Sequence, residues 1–166
     1  MAVPTDAALA RLARRVAKKY LAARESLATA ESCTGGFVAK LLTDIAGSSE
    51  WFDGGVVCYS NAAKRWQLRV PASTLARYGA VSGPTARAMA LGLLKRSRAE
   101  CAVAVTGIAG PTGGVPGKPV GTVWFAFARR SGAKLRVRTL HKRFRGGRDA
   151  VRRHAVALAL RQLAGP

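Results

Sequence analysis

Leu9, Leu12, Val16 and Tyr20 recur at helical spacing with Arg and Lys between them, so residues 6 to 24 read as an amphipathic helix that Thr5 or Asp6 can cap. A short strand is expected near Leu27 to Ala30. Gly35-Gly36 then leads into a second helix with Phe37, Val38, Leu41 and Leu42 on its apolar side, broken at Ala46-Gly47-Ser48-Ser49. Gly55 to Tyr59 reads as a buried strand, Asn61 can cap a helix through Lys64 to Leu68, and Pro71 stops it. Ser73 to Tyr78 is a further short helix. Ser82 or Thr85 opens a longer one with Ala86, Met89, Ala90, Leu93 and Leu94 at helical positions. Cys101 to Val105 is apolar throughout and too short for a helix, which suits a central strand. Gly121 to Ala128 is strand-like. Leu135, Val137 and Thr139 alternate with Arg136 and Arg138, as in a half-exposed strand paired with the preceding one across Arg130 to Gly132. Gly146-Gly147 precedes a last helix carrying Val151, Ala155, Leu158 and Leu163.

Strands interleaved with helices imply an α/β protein: one three-layer α/β/α domain over residues 1–166, with a mixed sheet and helices on both faces. No repeat or linker interrupts it. Ile108 to Pro119 holds four glycines and three prolines and reads as a long irregular loop, a kind that is usually functional or mobile.

Composition narrows the classes. The chain of 166 residues is 49% hydrophobic, enough for a core. No apolar run approaches a membrane span, and Met1 to Asp6 lacks the charged-then-apolar layout of a secretion signal, so a cytoplasmic protein with no membrane partner is expected. Cys33, Cys58 and Cys101 are odd in number and widely spaced, which argues against a disulfide framework. Cys58 and Cys101 lie in apolar runs and are expected to pack in the core. His141 and His154 are not at zinc-ligand spacing, and no metal or cofactor is expected. The net charge is +20, from 28 Lys and Arg against 8 Asp and Glu. Two groups dominate: Arg11, Arg14, Arg15, Lys18 and Lys19 in the first helix, and nine bases against the single acid Asp149 between Lys134 and Arg153. Such a field attracts anionic small molecules and gives weak, salt-sensitive affinity for nucleic acid. No nucleic-acid-binding motif accompanies it, and aromatic residues are sparse among the bases.

Chemistry concentrates at four joints: Glu31-Ser32-Cys33-Thr34-Gly35-Gly36, Tyr59-Ser60-Asn61-Ala62-Ala63-Lys64, Thr106-Gly107-Ile108-Ala109-Gly110-Pro111 and Gly146-Gly147-Arg148-Asp149. Each is placed just after an expected strand, and ligands of open α/β sheets bind outside the carboxyl ends of strands. A Ser and a Thr at a Gly-rich helix start combine a potential nucleophile with main-chain N–H groups suited to an anion or an oxyanion. The same pattern also makes ordinary caps and turns.

Together and in this order, these segments resemble the CinA carboxy-terminal domain family, which includes stand-alone nicotinamide-mononucleotide deamidases. Gly47-Ser48-Ser49 before Trp51-Phe52, Gly79-Ala80-Val81-Ser82, Lys118-Pro119-Val120-Gly121-Thr122-Val123 and Val151-Arg152 add to the likeness, which spans about residues 8 to 163. The resemblance implies metal-independent hydrolysis of nicotinamide mononucleotide to nicotinic acid mononucleotide and ammonia, in pyridine-nucleotide salvage. It also implies a homo-oligomer. Larger CinA proteins carry an extra amino-terminal domain, and this chain looks like the stand-alone form. The alternatives are a family member that binds nucleotides without hydrolysing them, and a basic nucleic-acid-binding module.

Amide hydrolysis needs a nucleophile, a base and oxyanion donors. Ser32 is the candidate nucleophile, with Cys33 as rival. Neither histidine offers a His–Asp pair, so Lys64 is the candidate base, its amine pushed toward neutrality by burial and nearby cations. An exposed helix lysine is the alternative for Lys64. Tyr59 is a candidate proton relay or hydrogen-bond partner of Ser32 or Lys64, against a packed aromatic. Main-chain N–H groups of Thr34, Gly35 and Gly36 are candidate oxyanion donors. Asn61, Thr106, Gly107 and Gly110 are candidate nucleotide contacts, and Arg148 is a candidate phosphate ligand, against plain surface charge. Two departures from the family pattern raise the local positive potential: Gly147 stands where an acid is common, and the loop 111–117 is less acidic than usual.

Overall fold

The computed structural model describes residues 2–165; residues 1 and 166, the two ends of the expected domain range, lie outside it, and with Met1 so does the start of the amino-terminal stretch read as lacking a secretion signal. Helix α1 spans Asp6–Ala23, followed by strand β1 (Leu27–Glu31), helix α2 (Phe37–Thr43), a short 3-10 turn at Ser48–Glu50 and strand β2 (Phe52–Val57). Three helices come next: α3 (Asn61–Leu68), α4 (Ala72–Tyr78) and α5 (Gly83–Arg96). Strands β3 (Cys101–Gly107), β4 (Thr122–Ser131) and β5 (Lys134–Arg143) and helix α6 (Arg148–Ala164) complete the chain.

The five strands lie in the order β2-β1-β3-β4-β5. β1 is parallel to β2 and β3, whereas β4 is antiparallel to both β3 and β5. Four strands therefore point their carboxyl ends to one rim. The sheet is built outward from β1 in both directions: β1 crosses to β2 through α2, and β2 crosses back to β3 through α3, α4 and α5. Right-handed crossovers in opposite directions must lie on opposite faces. One core accordingly joins α1, α2 and α6 to the sheet through Leu9, Val16, Leu42, Phe125 and Leu160. The other joins α3, α4 and α5 through Leu68, Leu75, Met89 and Leu94.

Several boundaries differ from those the sequence suggests. Thr5 caps α1, accepting from the Ala8 N–H at 3.2 Å. Ser60, not Asn61, caps α3, its hydroxyl accepting from the Ala63 N–H at 3.0 Å. β2 starts and ends earlier than Gly55 to Tyr59, and its exposure alternates along the strand because it is an edge with β1 on one side only. Arg69, in a left-handed conformation, ends α3 before Pro71 is reached. β3 runs on through Thr106 and Gly107, which pair with Trp124 and Val123 of β4. Cys58 and Cys101 are buried, as expected of core residues.

Candidate active site

Glu31 ends β1 and Ser32 follows at the sheet rim, tied to β3 by its N–H on the Val105 carbonyl at 2.9 Å. The chain turns through Gly35 and Gly36, both at left-handed φ (61° and 87°), and enters α2. Gly36 caps that helix without a side chain. The cap comes from the strand instead: the buried Glu31 carboxyl accepts the Val38 N–H at 3.1 Å and the Ala39 N–H at 2.8 Å. Two of the orphan donors at the helix start are thereby satisfied, and the corner carrying Ser32 is locked between strand and helix. Arg152 of α6 braces the same corner, donating to the Thr34 carbonyl at 2.9 Å.

Lys64 lies one turn into α3, fully buried. Its Nζ sits 2.9 Å from the Cys58 carbonyl, 3.0 Å from the Tyr59 carbonyl and 3.0 Å from Ser32 Oγ. The two carbonyls can only accept. A neutral amine held there gives each one N–H, and its lone pair is left facing the Ser32 hydroxyl, which then donates. Burial holds the Lys64 amine below its ordinary value of 10.5; the surrounding cations expected from the net charge are not the cause, and the titratable side chains of Cys58, Cys33 and Tyr59 act in the opposite direction. Burial also pushes the neighbouring Cys33 thiol up to about 12 and that of Cys58 to about 11. Both remain thiols at neutral pH, which disfavours Cys33 as nucleophile.

A cavity of about 180 Å³ opens over this pair, lined by Ser32, Cys33, Tyr59, Lys64, Ala80, Val81, Thr106, Gly107, Ala109 and Arg148. Three of the four joints thus contribute candidates to one space, and the fourth contributes Arg148. Asn61 is exposed and outside the lining. The Tyr59 phenol reaches neither Ser32 nor Lys64: its oxygen accepts from Arg148 at 3.1 Å, and it is the Tyr59 main chain that holds the lysine. Arg148 also donates to the Gly110 carbonyl at 2.9 Å. Gly35 donates its N–H to the Ser32 carbonyl at 3.1 Å, so that group is engaged rather than aimed at an oxyanion. Thr34 is fully buried. Thr106 Oγ1 donates to the Ala80 carbonyl at 2.9 Å, joining β3 to the link before α5. A Cβ on Gly107 would meet the Thr122 carbonyl at 2.7 Å, and one on Gly110 the Val120 side chain at 2.6 Å, so close packing against neighbouring chain accounts for both glycines. His141 packs tilted against Trp124 and His154 stacks on Phe144, away from the cavity.

Reading the residues alone assigns no role to Glu31, Arg152 or the two carbonyls of Cys58 and Tyr59. Glu31 carries a sequence signal, an acid directly before the Ser-x-x-Gly-Gly corner; the carbonyls carry none, because any residue supplies one.

The chain is similar to known proteins over nearly its whole length. The nicotinamide-nucleotide amidohydrolase PncC of Escherichia coli K12 is 53% identical over 159 residues, covering 96% of this chain and 94% of that protein. A CinA-like protein of Anaeromyxobacter dehalogenans 2CP-C is 54% identical over 144 residues, 86% of this chain but 34% of that longer one. Among solved structures, a CinA superfamily protein of Klebsiella pneumoniae superposes with a TM-score of 0.89 at 42% identity, covering 94% of this chain and 95% of that one. The competence/damage inducible protein CihA of Agrobacterium tumefaciens gives 0.88 at 47% identity, covering 96% and 94%. With the CinA C-terminal domain model matching residues 9–165, the chain belongs to the CinA C-terminal domain family.

Proposed function

We propose that residues 1–166 form a single amidohydrolase domain that converts nicotinamide mononucleotide and water to nicotinic acid mononucleotide and ammonia, with Ser32 as nucleophile and Lys64 as base. One observation carries the mechanism: a buried amine held by two carbonyls, 3.0 Å from the Ser32 oxygen. The likeness to amidohydrolases named for nicotinamide nucleotides supports the substrate class.

In this reading Lys64 takes the Ser32 proton as Oγ bonds to the carboxamide carbon, and main-chain N–H groups at Thr34 and Gly36 face the oxyanion. The tetrahedral adduct collapses as the C–N bond breaks, and the ammonium of Lys64 returns its proton to the leaving ammonia. Water then attacks the seryl ester with Lys64 again accepting the proton, and the nicotinate carboxyl leaves as the proton returns to Ser32. The pyridinium charge of the substrate opposes a second cation beside it and favours the neutral amine during attack. The phosphate is taken by Arg148, which must exchange Tyr59 or Gly110 for it.

The reading extends to a homo-oligomer. What supports it is the cavity: about 180 Å³ in one chain is small against the about 300–1,000 Å³ of ordinary ligand pockets, and a second copy over the exposed Tyr59 rim would enlarge it. Weak nucleic-acid affinity follows from the net charge of +20. A cytoplasmic location suits the nucleotide substrate. No helix of the described residues is long and apolar enough to cross a membrane.

Ammonia release from nicotinamide mononucleotide tests the activity, with Ser32→Ala and Cys33→Ala run beside the unaltered chain. Ser32→Ala is expected to abolish turnover while binding persists, and Cys33→Ala to retain it. No release by the unaltered chain across pH and salt refutes the reading; turnover surviving Ser32→Ala moves the nucleophile elsewhere.

A further inference from the structure

The amino-terminal end of β3 carries a second depression, larger than the one at Ser32. On the face covered by α1, α2 and α6, the helices cover β1, β3 and part of β4 but leave the first half of β5 open, Leu140 farther along packing into that core; on the opposite face α5 packs against β5. The register pairs Phe127 with Arg138 and Arg129 with Arg136, so these four side chains share the open face. Between them and the carboxyl end of α6 lies a groove of about 310 Å³. Tyr20, Phe127 and Leu163 give it an apolar floor, Ala102 and Ala128 contribute main chain because their side chains face α5, and Lys19, Arg129, Arg136 and Arg138 form its rim. Five rises along β3, at about 3.3 Å each, separate its Cys101 from the Thr106 of the candidate active site.

The rim holds more positive charge than its neighbours neutralise. Lys19 donates to the Leu163 carbonyl at 2.7 Å, which offsets the negative end of the α6 dipole. Arg129 pairs with Glu25, the carboxylate beside the groove. Burial raises both the Tyr20 phenol and the Cys101 thiol, so the floor adds no anion at neutral pH. Arg138 lies over the Phe127 ring, 4.4 Å from its centroid, and donates to Gln162 at 2.8 Å, which uses one of its five N–H groups and leaves its charge uncompensated. None of the side-chain hydrogen bonds or ion pairs among the described residues involves the Arg136 guanidinium.

We propose that this groove is a second binding site, for a small organic anion whose flat apolar body rests on Phe127, Tyr20 and Leu163 and whose phosphate or carboxylate meets Arg136 and Arg138. The four rim cations are exposed, and a polyanion track would string such cations along an extended surface. Here they ring an apolar floor of small-molecule size, at the lower bound of the about 300 Å³ typical of ligand pockets. The site is independent of the amidohydrolase reading, because none of its residues lines the Ser32 cavity.

Anilinonaphthalene sulfonate, an aromatic monoanion that brightens in apolar surroundings, is the probe. The full chain is expected to bind it saturably, one per chain. Arg136→Glu weakens binding about tenfold, and adding Arg138→Glu weakens it further, in line with loss of charge-assisted contacts. The pair Arg11→Glu and Arg14→Glu changes net charge as much from outside the groove and is expected to move affinity by no more than about twofold, the residue of long-range screening. Arg136→Glu alone decides the matter if the double variant does not fold, since Arg136 is exposed and breaks no hydrogen bond. Naphthyl phosphate and naphthoate as competitors tell the two head groups apart, and displacement by either supports the site. Equal losses in the two arginine pairs, displacement by inorganic phosphate as effective as by naphthyl phosphate, or displacement by a single-stranded oligothymidylate lost equally with either pair would overturn it.

Discussion

Arg148 donates a hydrogen bond to the Tyr59 phenol, 3.1 Å away, so two side chains that each suit a part in the chemistry are joined to one another across the mouth of the Ser32 cavity. The bond leaves the Lys64 amine to the main chain. It also means that a phosphate reaching Arg148 competes with groups already there.

Tyr59→Phe removes that bond and keeps the main-chain carbonyl that holds Lys64. Turnover of nicotinamide mononucleotide is expected to stay within about threefold in kcat, since no proton passes through the phenol, while KM falls as Arg148 is released. A kcat loss of about a hundredfold, the scale of a missing general acid or base, would make the phenol part of the proton path.

Lys64 must be neutral to accept the Ser32 proton. Its folded value lies below 10.5, so the rate should rise with pH along a limb whose midpoint lies below that of an ordinary lysine. Stability carries the same sign: the unfolded chain binds the proton more tightly than the folded one, so stability increases with pH through the window between the lowered value and 10.5. Lys64→Met should lose at least about a hundredfold in rate and flatten that window. Rate profiles and urea unfolding at stepped pH read both. A limb that persists in Lys64→Met would assign the base elsewhere.

Glu31 caps α2 from the neighbouring strand. Glu31→Ala leaves the Val38 and Ala39 N–H groups without a partner at a buried corner, at a cost of about 1–3 kcal/mol. Glu31→Gln keeps one acceptor oxygen and should cost less. Urea midpoints give the difference, and a larger loss of kcat than of stability in Glu31→Gln would place its effect on the Ser32 corner rather than on the helix.

Gly92, in the middle of α5, lies against the end of α3. A Cβ there would come within 1.9 Å of the Leu68 carbonyl oxygen, which is main chain and cannot yield without moving the helix that holds Lys64. Gly92→Ala is expected to destabilise by more than the about 1 kcal/mol that alanine gains as the better helix former, and to lower activity with stability. Thermal melts and ammonia release on the same samples test the coupling.

Much of the architecture was legible along the chain because periodicity is a local property. Leu9 to Tyr20 repeat at helical spacing, Cys101 to Val105 form an unbroken apolar run, and Leu135 to Thr139 alternate; each became the element so marked. The ends were less legible. Ser60 and Asn61 are both good caps, and only the position of the Ala63 N–H selects Ser60. Gly55 to Tyr59 reads as a buried strand, yet edge or centre is decided by strand order, which depends on contacts far apart in the chain.

The candidate site divides the same way. Ser32 and Lys64 were readable as residue types suited to the chemistry, since a hydroxyl and an amine are properties of single side chains. That the amine is fully buried, that two main-chain carbonyls orient it, that the tyrosine turns to Arg148 and that Gly107 and Gly110 pack against β4 and Val120 are relations between segments up to about a hundred residues apart. Sequence determines which groups exist and which local element each occupies. Distance, burial and the direction of a lone pair are set only when the sheet closes, because they are properties of pairs that the chain brings together by packing.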